Sequence, residues 1–157
     1  MKNTIYITFI FIIILIISCE KGIPVAEINC TEIVEQDGIS YFNNRDPLKQ
    51  LEKFTGSCYT QYDANLEKNE IRTYKQGKMH GIWVKYYMNG QIEYLGEARK
   101  GQIHGKYTGY FINGQIKETG KLKEGYRDGV WTIYNEIGDI VRKEVHQDRE
   151  LITTENY

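Results

Sequence analysis

A fixed spacing of 24 residues separates the glycines of three similar segments in this chain. An aromatic residue stands two positions after each glycine, in the segments Gly81-Ile82-Trp83, Gly105-Lys106-Tyr107 and Gly129-Val130-Trp131. Three more columns keep the spacing: a tyrosine (Tyr86, Tyr110, Tyr134), a glycine (Gly90, Gly114, Gly138) and an isoleucine (Ile92, Ile116, Ile140). A period of this length is typical of repeat proteins, whose units bury apolar side chains only by stacking on their neighbours. The sequence therefore predicts an array, and function is to be sought in that array.

Each repeat has the pattern of one β-hairpin. In the best-kept repeat, residues 82–88 are rich in β-branched and aromatic residues and lead into Asn89-Gly90. Asn-Gly favours a two-residue type I′ turn, because both central residues of that turn have positive φ. The next repeat has the same turn at Asn113-Gly114, and the reversals between hairpins fall at Lys100-Gly101 and Glu124-Gly125. We predict an all-β fold, an antiparallel meander of about four stacked hairpins in an open, single-layer, twisted sheet.

The first repeat departs from the spacing. Gly56 precedes Gly81 by 25 residues, whereas Asn65 precedes Asn89 by 24. We place the additional residue in the first strand of this repeat, as a β-bulge or a looser loop, which is common in a terminal repeat.

Trp83 and Tyr86 are three residues apart, so in a regular strand their side chains point to opposite faces. Either a bulge turns both inward, or the sheet has two different aromatic faces. We favour the second arrangement, because aromatic ladders across strands stabilise a thin sheet by about 0.2–1 kcal/mol per pair.

The N-terminus resembles a bacterial lipoprotein signal. Lys2 precedes an apolar run at residues 5–17, and Ser18 precedes Cys19. The resemblance implies cleavage before Cys19 and lipid attachment to its sulfur; an uncleaved anchor is the alternative, although the run is short for a membrane span. We expect a signal peptide at 1–18, a lipidated cysteine and tether at 19–33, and a repeat domain with its leader segment at 34–157. The mature protein would then be anchored to a membrane of the cell envelope.

Two cysteines, Cys30 and Cys58, remain after such cleavage. Export would place them where disulfides persist. Cys58 stands two residues after Gly56, in the column of Trp83, so it is expected to point where the array buries large side chains. A disulfide between the two and a buried free thiol both remain open, because the sequence gives no Cα separation.

The repeats resemble the MORN-variant repeats of bacterial proteins. The segment from Gly77-Lys78-Met79-His80-Gly81 to Asn89-Gly90-Gln91-Ile92 carries the likeness, and Gly101-Gln102-Ile103-His104-Gly105 begins a close copy. The similarity covers residues 54–150, and the Asp37-Gly38 leader also fits. The resemblance implies a stacked hairpin fold and a scaffold that binds proteins or membranes. Related proteins are often described as antitoxin-like, and no catalytic residues accompany the repeat.

Other site chemistries find little support. His80, His104 and Asp128 share one column, but residues in successive hairpins lie two strands apart, roughly 10 Å, which is too far for one zinc ion. The sequence has no nucleophile motif or phosphate loop, and we expect neither an enzyme nor a cofactor. Its 20 basic and 21 acidic side chains give no electrostatic reason to bind nucleic acid.

The 13 tyrosines are the remaining functional feature. Exposed tyrosines supply large, stiff contact area, although most of these rings are expected to form the core of a thin array. The outward ones are a candidate binding face, drawn from Tyr86, Tyr87, Tyr94, Tyr110 and Tyr134. We predict a lipid-anchored scaffold that binds a protein or an envelope polymer; the alternative is an antitoxin-like protein that neutralises a toxin by binding it.

Overall fold

The computed structural model describes residues 28–43, 50–63 and 67–157. Twelve β-strands and one short 3-10 helix, Cys30–Glu32, make up their regular structure. The strands are β1 Ile28–Asn29, β2 Ile33–Gln36, β3 Ile39–Phe42, β4 Gly56–Gln61, β5 Lys68–Lys75, β6 Lys78–Tyr86, β7 Ile92–Arg99, β8 Gln102–Tyr110, β9 Ile116–Lys123, β10 Tyr126–Tyr134, β11 Ile140–Gln147 and β12 Glu150–Asn156.

Ten of these strands form one open sheet in the order β1-β4-β5-β6-β7-β8-β9-β10-β11-β12. From β4 onward, each strand pairs antiparallel with the next in the chain, and only β1 pairs in parallel, with β4. The predicted all-β meander is therefore confirmed. Four hairpins, β4–β5, β6–β7, β8–β9 and β10–β11, follow one another, and β12 extends the sheet beyond the last of them.

The hairpin turns lie where they were predicted, but their type I′ assignment is wrong. Gly90 has a φ of 81°, whereas Asn89 is not among the residues with positive φ. The amide of Gly90 donates to the carbonyl of Tyr87 at 2.9 Å, and the amide of Tyr87 donates to that of Gln91 at 2.7 Å. This pattern is a type I turn followed by a left-handed glycine, and Asn113-Gly114 repeats it.

Type I′ geometry occurs instead at the reversals between hairpins. Lys100 and Gly101 have φ values of 55° and 91°, and Glu124 and Gly125 have values of 54° and 85°. Each reversal also bonds to the preceding one, since the amide of Gly101 donates to the carbonyl of Met79 at 2.8 Å. The turns at this end of the sheet therefore stack as the strands do.

The additional residue of the first repeat lies in its loop, so the predicted position in the strand is wrong. Cys58 in β4 and Trp83 in β6 both flank Arg72, so the 25-residue offset holds along the whole strand. The loop that follows is closed by the amide of Tyr62 and the carbonyl of Glu67, one residue further apart than the equivalent pair in the next hairpin. A loop absorbs an insertion without changing which side chains face the core.

The first strand of each later hairpin bends at the glycine of the Gly-x-aromatic segment. Gly81, Gly105 and Gly129 have φ values of 103°, 115° and 72°. Beside the first of them the pairing of β5 and β6 jumps from Arg72 with Trp83 to Tyr74 with Met79, so three residues of β6 face one of β5. A bulge of this kind requires a residue that tolerates positive φ, which explains the glycine column.

The leader segment covers the N-terminal edge of the sheet. β1 pairs with β4, and the 3-10 helix separates β1 from β2. The hairpin β2–β3 turns at Asp37-Gly38 and docks on the first reversal, where the amide of Ser40 donates to the carbonyl of Gly77 at 2.7 Å. Residues 28–33 thus belong to the folded part rather than to a tether.

Candidate binding surface

The sheet has two faces of different chemistry, because neighbouring residues of a strand point to opposite sides. Val84 packs with Ile71, and Tyr86 and Leu95 lie against this pair. Its neighbour Trp83 contacts Tyr94 instead, with 4.4 Å between ring centroids. Trp83 and Tyr86 therefore belong to different faces, as favoured from their spacing. We name the side of Trp83 the aromatic face and the side of Val84 the threonine face.

The aromatic face carries a ladder of rings. Beyond Trp83 and Tyr94 it continues to Tyr107 and Trp131, with centroid separations of 6.0 and 5.4 Å. Gly120 stands opposite Tyr107, where an added Cβ would lie 2.4 Å from the indole of Trp131. Because Gly120 has no side chain, the Trp131 ring can lie over it and the ladder continues across the sheet. Each ring pair contributes about 0.5–1.5 kcal/mol.

Burial affects the ionisation of the tyrosine hydroxyl groups in this ladder. It raises the pKa of Tyr94, and together with the nearby charge of Glu118 it raises the pKa of Tyr107 to about 12. Trp131 is only 1% exposed. Both phenols are therefore neutral at ordinary pH, and the ladder serves mainly as the packed layer of a sheet that lacks a second layer among the described residues.

A buried carboxylate holds the C-terminal end of the ladder. Glu144 accepts hydrogen bonds from Arg127 at 2.6 Å and interacts with Arg142 at 2.8 Å and His146 at 3.0 Å. The His146 hydrogen bond and the charges of both arginines hold the pKa of Glu144 below its usual range. The Cζ atom of Arg127 also lies 4.2 Å from the Trp131 ring centroid, so its guanidinium group makes a cation–π contact with that ring.

The threonine face changes character along the array. One cross-strand row runs from Ile71 through Val84 and Leu95 to Thr108, Thr119 and Thr132. Ile71 and Val84 are 2% and 0% exposed, whereas the threonines are half-buried. The row is an apolar core near the leader and a hydroxyl row further along. The residue type in this row therefore changes along the array while the pairing of the strands stays the same.

The five predicted tyrosines do not share one face. Tyr86 packs on the Ile71 and Val84 cluster, and Tyr110 and Tyr134 hold its column in the next two hairpins. Tyr94 belongs to the aromatic ladder. Tyr87 lies at the hairpin end, where its hydroxyl donates to the carbonyl of Tyr110 at 2.8 Å.

Side chains at the hairpin ends join neighbouring repeats. The hydroxyl of Tyr62 donates to the carbonyl of Tyr86 at 2.6 Å, one hairpin before the equivalent bond of Tyr87. Asn113 accepts from the amide of Gln115 at 2.9 Å and donates to the carbonyl of Glu136 at 3.3 Å. These turn residues therefore hold the stack together.

The predicted histidine column lies within the described residues, whereas the predicted membrane anchor does not. His80 and His104 border one shallow depression, yet within the described ranges no three His, Cys, Asp or Glu side chains gather as a metal site. The described residues contain no helix of the length and apolar character needed to cross a membrane. Cys19 and the predicted signal at 1–18 lie outside the described residues.

Cys30 and Cys58 form a disulfide, with 5.0 Å between their Cα atoms. Cys58 is fully buried, in agreement with its position in the column of Trp83. The bond fixes the 3-10 helix to β4, so the leader is covalently joined to the first hairpin.

Sequence reasoning missed the polar part of the threonine face. Lys106 and Lys121 are direct cross-strand partners there, and Val130 is 58% exposed in the next hairpin. Aligning the repeats column by column would have exposed these positions, since Ile82 and Glu97 occupy them one repeat earlier. The tyrosine pattern gives no sign of these positions, whose residue type changes from one repeat to the next.

Comparison with known proteins adds no relative: the chain matches no protein-family model and no curated protein.

Proposed function

We propose that the chain is a non-catalytic scaffold, lipid-anchored in the bacterial cell envelope, whose open sheet binds a partner protein or an envelope polymer. The residues before Cys19 support the anchor through their likeness to lipoprotein signals. The Cys30–Cys58 disulfide supports export, because such bonds persist in oxidising compartments. No described group of side chains offers a metal site, and the depressions are shallow and line the sheet surface.

The observation that carries this proposal is a set of uncovered aliphatic side chains on the threonine face of β9–β11. Val130 and Val145 are cross-strand partners and are 58% and 37% exposed. Ile116 and Ile140, 41% and 36% exposed, hold the column in which Ile92 packs against the core. Side chains that are core in one hairpin and uncovered in the next are typical of a surface that a partner covers.

Crosslinked affinity purification of the full-length protein from its own membranes tests the proposal. We expect a captured partner to be lost when Ile116→Asp and Val130→Asp are combined. The matched control combines Met88→Asp and Ile112→Asp, which place the same charges on hairpin-tip residues that are 54% and 62% exposed. A thermal melt verifies that each variant is folded. A partner retained by all folded variants would contradict a binding role for this face.

A second arm compares the chain with and without residues 1–19. An exported protein or polymer as the partner supports the scaffold. A cytoplasmic toxin that binds only the unexported form would instead support the antitoxin-like alternative that the repeat resemblance implies.

A further inference from the structure

We infer that Lys106 and Lys121, with the hydroxyl groups of Thr119 and Thr132, form a binding site for the phosphate or carboxylate groups of an anionic polymer. The site adjoins the surface proposed above and has Val130 in common with it, so the inference rests on that proposal and names a ligand class for it.

The first argument is the pairing of two like charges. Lys106 on β8 and Lys121 on β9 are direct cross-strand partners. Like charges placed directly opposite each other destabilise a sheet. Both side chains are exposed, and within the described ranges neither ammonium group forms an ion pair with a carboxylate. Asp128 lies opposite Lys121 on β10 and offsets part of this repulsion, and a bound anion would relieve the remainder.

The second argument is that the repeat does not require these lysines. One hairpin earlier the same two positions are Ile82 and Glu97, and one hairpin later they are Val130 and Val145, again as direct partners. All three hairpins form the same ladder with different pairs. The paired lysines are therefore a property of one hairpin, and residues that the shared ladder does not require are candidates for a binding role.

The third argument is the shape and chemistry around the pair. Lys106 and Lys121 line one shallow depression together with Thr119, Thr132, Asp128 and Val130. The two ammonium groups and the two hydroxyls are hydrogen-bond donors that line the same depression, and charge-assisted bonds from the ammonium groups to an oxyanion are the stronger ones. Asp128, the partner of Lys121 on β10, leaves the depression with one net positive charge.

The open geometry favours a polymer over a small anion. The depression lies on the surface of an open sheet, so a small ion would remain largely hydrated there. A chain with repeated charges can follow the row of threonines across β8, β9 and β10 while one anionic group meets the lysines. Multiple weak contacts then add up along the polymer.

Titration of the purified full-length chain, in neutral detergent, tests this inference. The probes are polyphosphate for phosphate groups, poly-L-glutamate for carboxylates and uncharged dextran as the reference. Combining Lys106→Gln with Lys121→Gln is expected to weaken binding of the preferred polyanion about tenfold or more, because two charge-assisted donors are lost. Combining Thr119→Val with Thr132→Val is expected to weaken it less, and binding should fall as salt rises.

The chain offers a matched control in Lys75 and Lys78. They are also exposed, also direct cross-strand partners and also outside every ion pair among the described residues, but they flank a reversal. Replacing both with Gln changes the net charge equally and should alter affinity less than about twofold. Equal weakening by the two double variants would reduce the effect to non-specific attraction and overturn the site.

Binding of either polyanion, lost in the Lys106 and Lys121 variant alone, supports the site and identifies its anionic group. No binding of either polyanion above dextran overturns it. If that occurs while the Ile116→Asp and Val130→Asp variant still loses its captured partner, the anion site fails and the proposed scaffold stands.

Discussion

Single glycines in this array serve two purposes that mutation can separate. Gly90 needs its φ of 81° and has open space around its Cα, whereas Gly120 has no positive φ and faces the indole of Trp131. Gly120→Ala should lower the free energy of unfolding by about 1–3 kcal/mol, because its Cβ would overlap the ring. Gly90→Ala should cost about 1 kcal/mol from backbone strain alone. Urea unfolding of both variants measures the difference.

Pairing each variant with Trp131→Phe distinguishes the two causes. The smaller ring should restore part of the stability lost by Gly120→Ala and none of that lost by Gly90→Ala. Additive effects of Gly120→Ala and Trp131→Phe would show that the glycine is needed for another reason.

Glu144 gives the stability of this protein a predictable response to acid. Its pKa is lowered in the folded state, chiefly by the His146 hydrogen bond and also by Arg127 and Arg142. A lowered carboxyl pKa stabilises the fold above the unfolded value, near 4.5, and this contribution is lost as pH falls through the folded value. Glu144→Gln should therefore cost about 1–3 kcal/mol at neutral pH and much less near pH 3. Urea midpoints at both pH values measure it, and an equal cost at both would contradict the assignment.

At the scale of elements, the disulfide is the covalent link between the leader and the sheet. It joins residues 28 positions apart and fixes the 3-10 helix to β4. Cys30→Ser should lower the free energy of unfolding by about 2–4 kcal/mol, since closing a loop of this length restricts the unfolded chain. Thermal melts with and without reductant measure the loss. Reductant should lower the melting temperature of the unchanged protein and leave that of Cys30→Ser unaffected.

The 24-residue period predicted the order of the hairpins, because the same glycine and aromatic positions recur in three successive hairpins. It did not predict the turn type, since Asn-Gly suits both the type I′ turn and a type I turn that ends in a left-handed glycine. At the reversals between hairpins, Lys100 and Glu124 have left-handed φ, and their residue types give no sign of it in the sequence. The place of the insertion between Tyr62 and Glu67 depends on strand pairing, which a residue count cannot supply.

The candidate surface was harder to predict than the fold for a physical reason. A tyrosine in a single-layer sheet can pack within its own face, as Tyr94 does with Trp83, so aromatic content alone does not indicate exposure. Lys106 and Lys121 are spaced like any pair of surface lysines in the sequence. Only the register of β8 and β9 places them directly opposite each other.

The whole molecule is asymmetric along its array. Near the leader, Cys58, Ile71 and Val84 are buried, and the edge is covered by β1 and the disulfide. Further along, the threonine face, which carries Ile71 and Val84, exposes Val130 and Val145. If lipid is attached at Cys19, as we propose, the hairpins with the buried Ile71 and Val84 are those next to the membrane. The uncovered hairpins, those with the exposed Val130 and Val145, extend the array away from it. This arrangement would leave the candidate surface accessible to partners.

The lipid attachment is the prediction on which this orientation depends. Cys19→Ser removes the proposed acceptor sulfur, so metabolic labelling with an alkyne fatty acid should be lost and the protein should leave the membrane fraction. Cys30→Ser serves as the matched control, because it replaces a cysteine of the folded part and should keep both the label and the membrane location. Labelled and membrane-bound Cys19→Ser protein would contradict the anchor. The uncovered hairpins would then have no defined orientation, and partner binding would have to be explained without it.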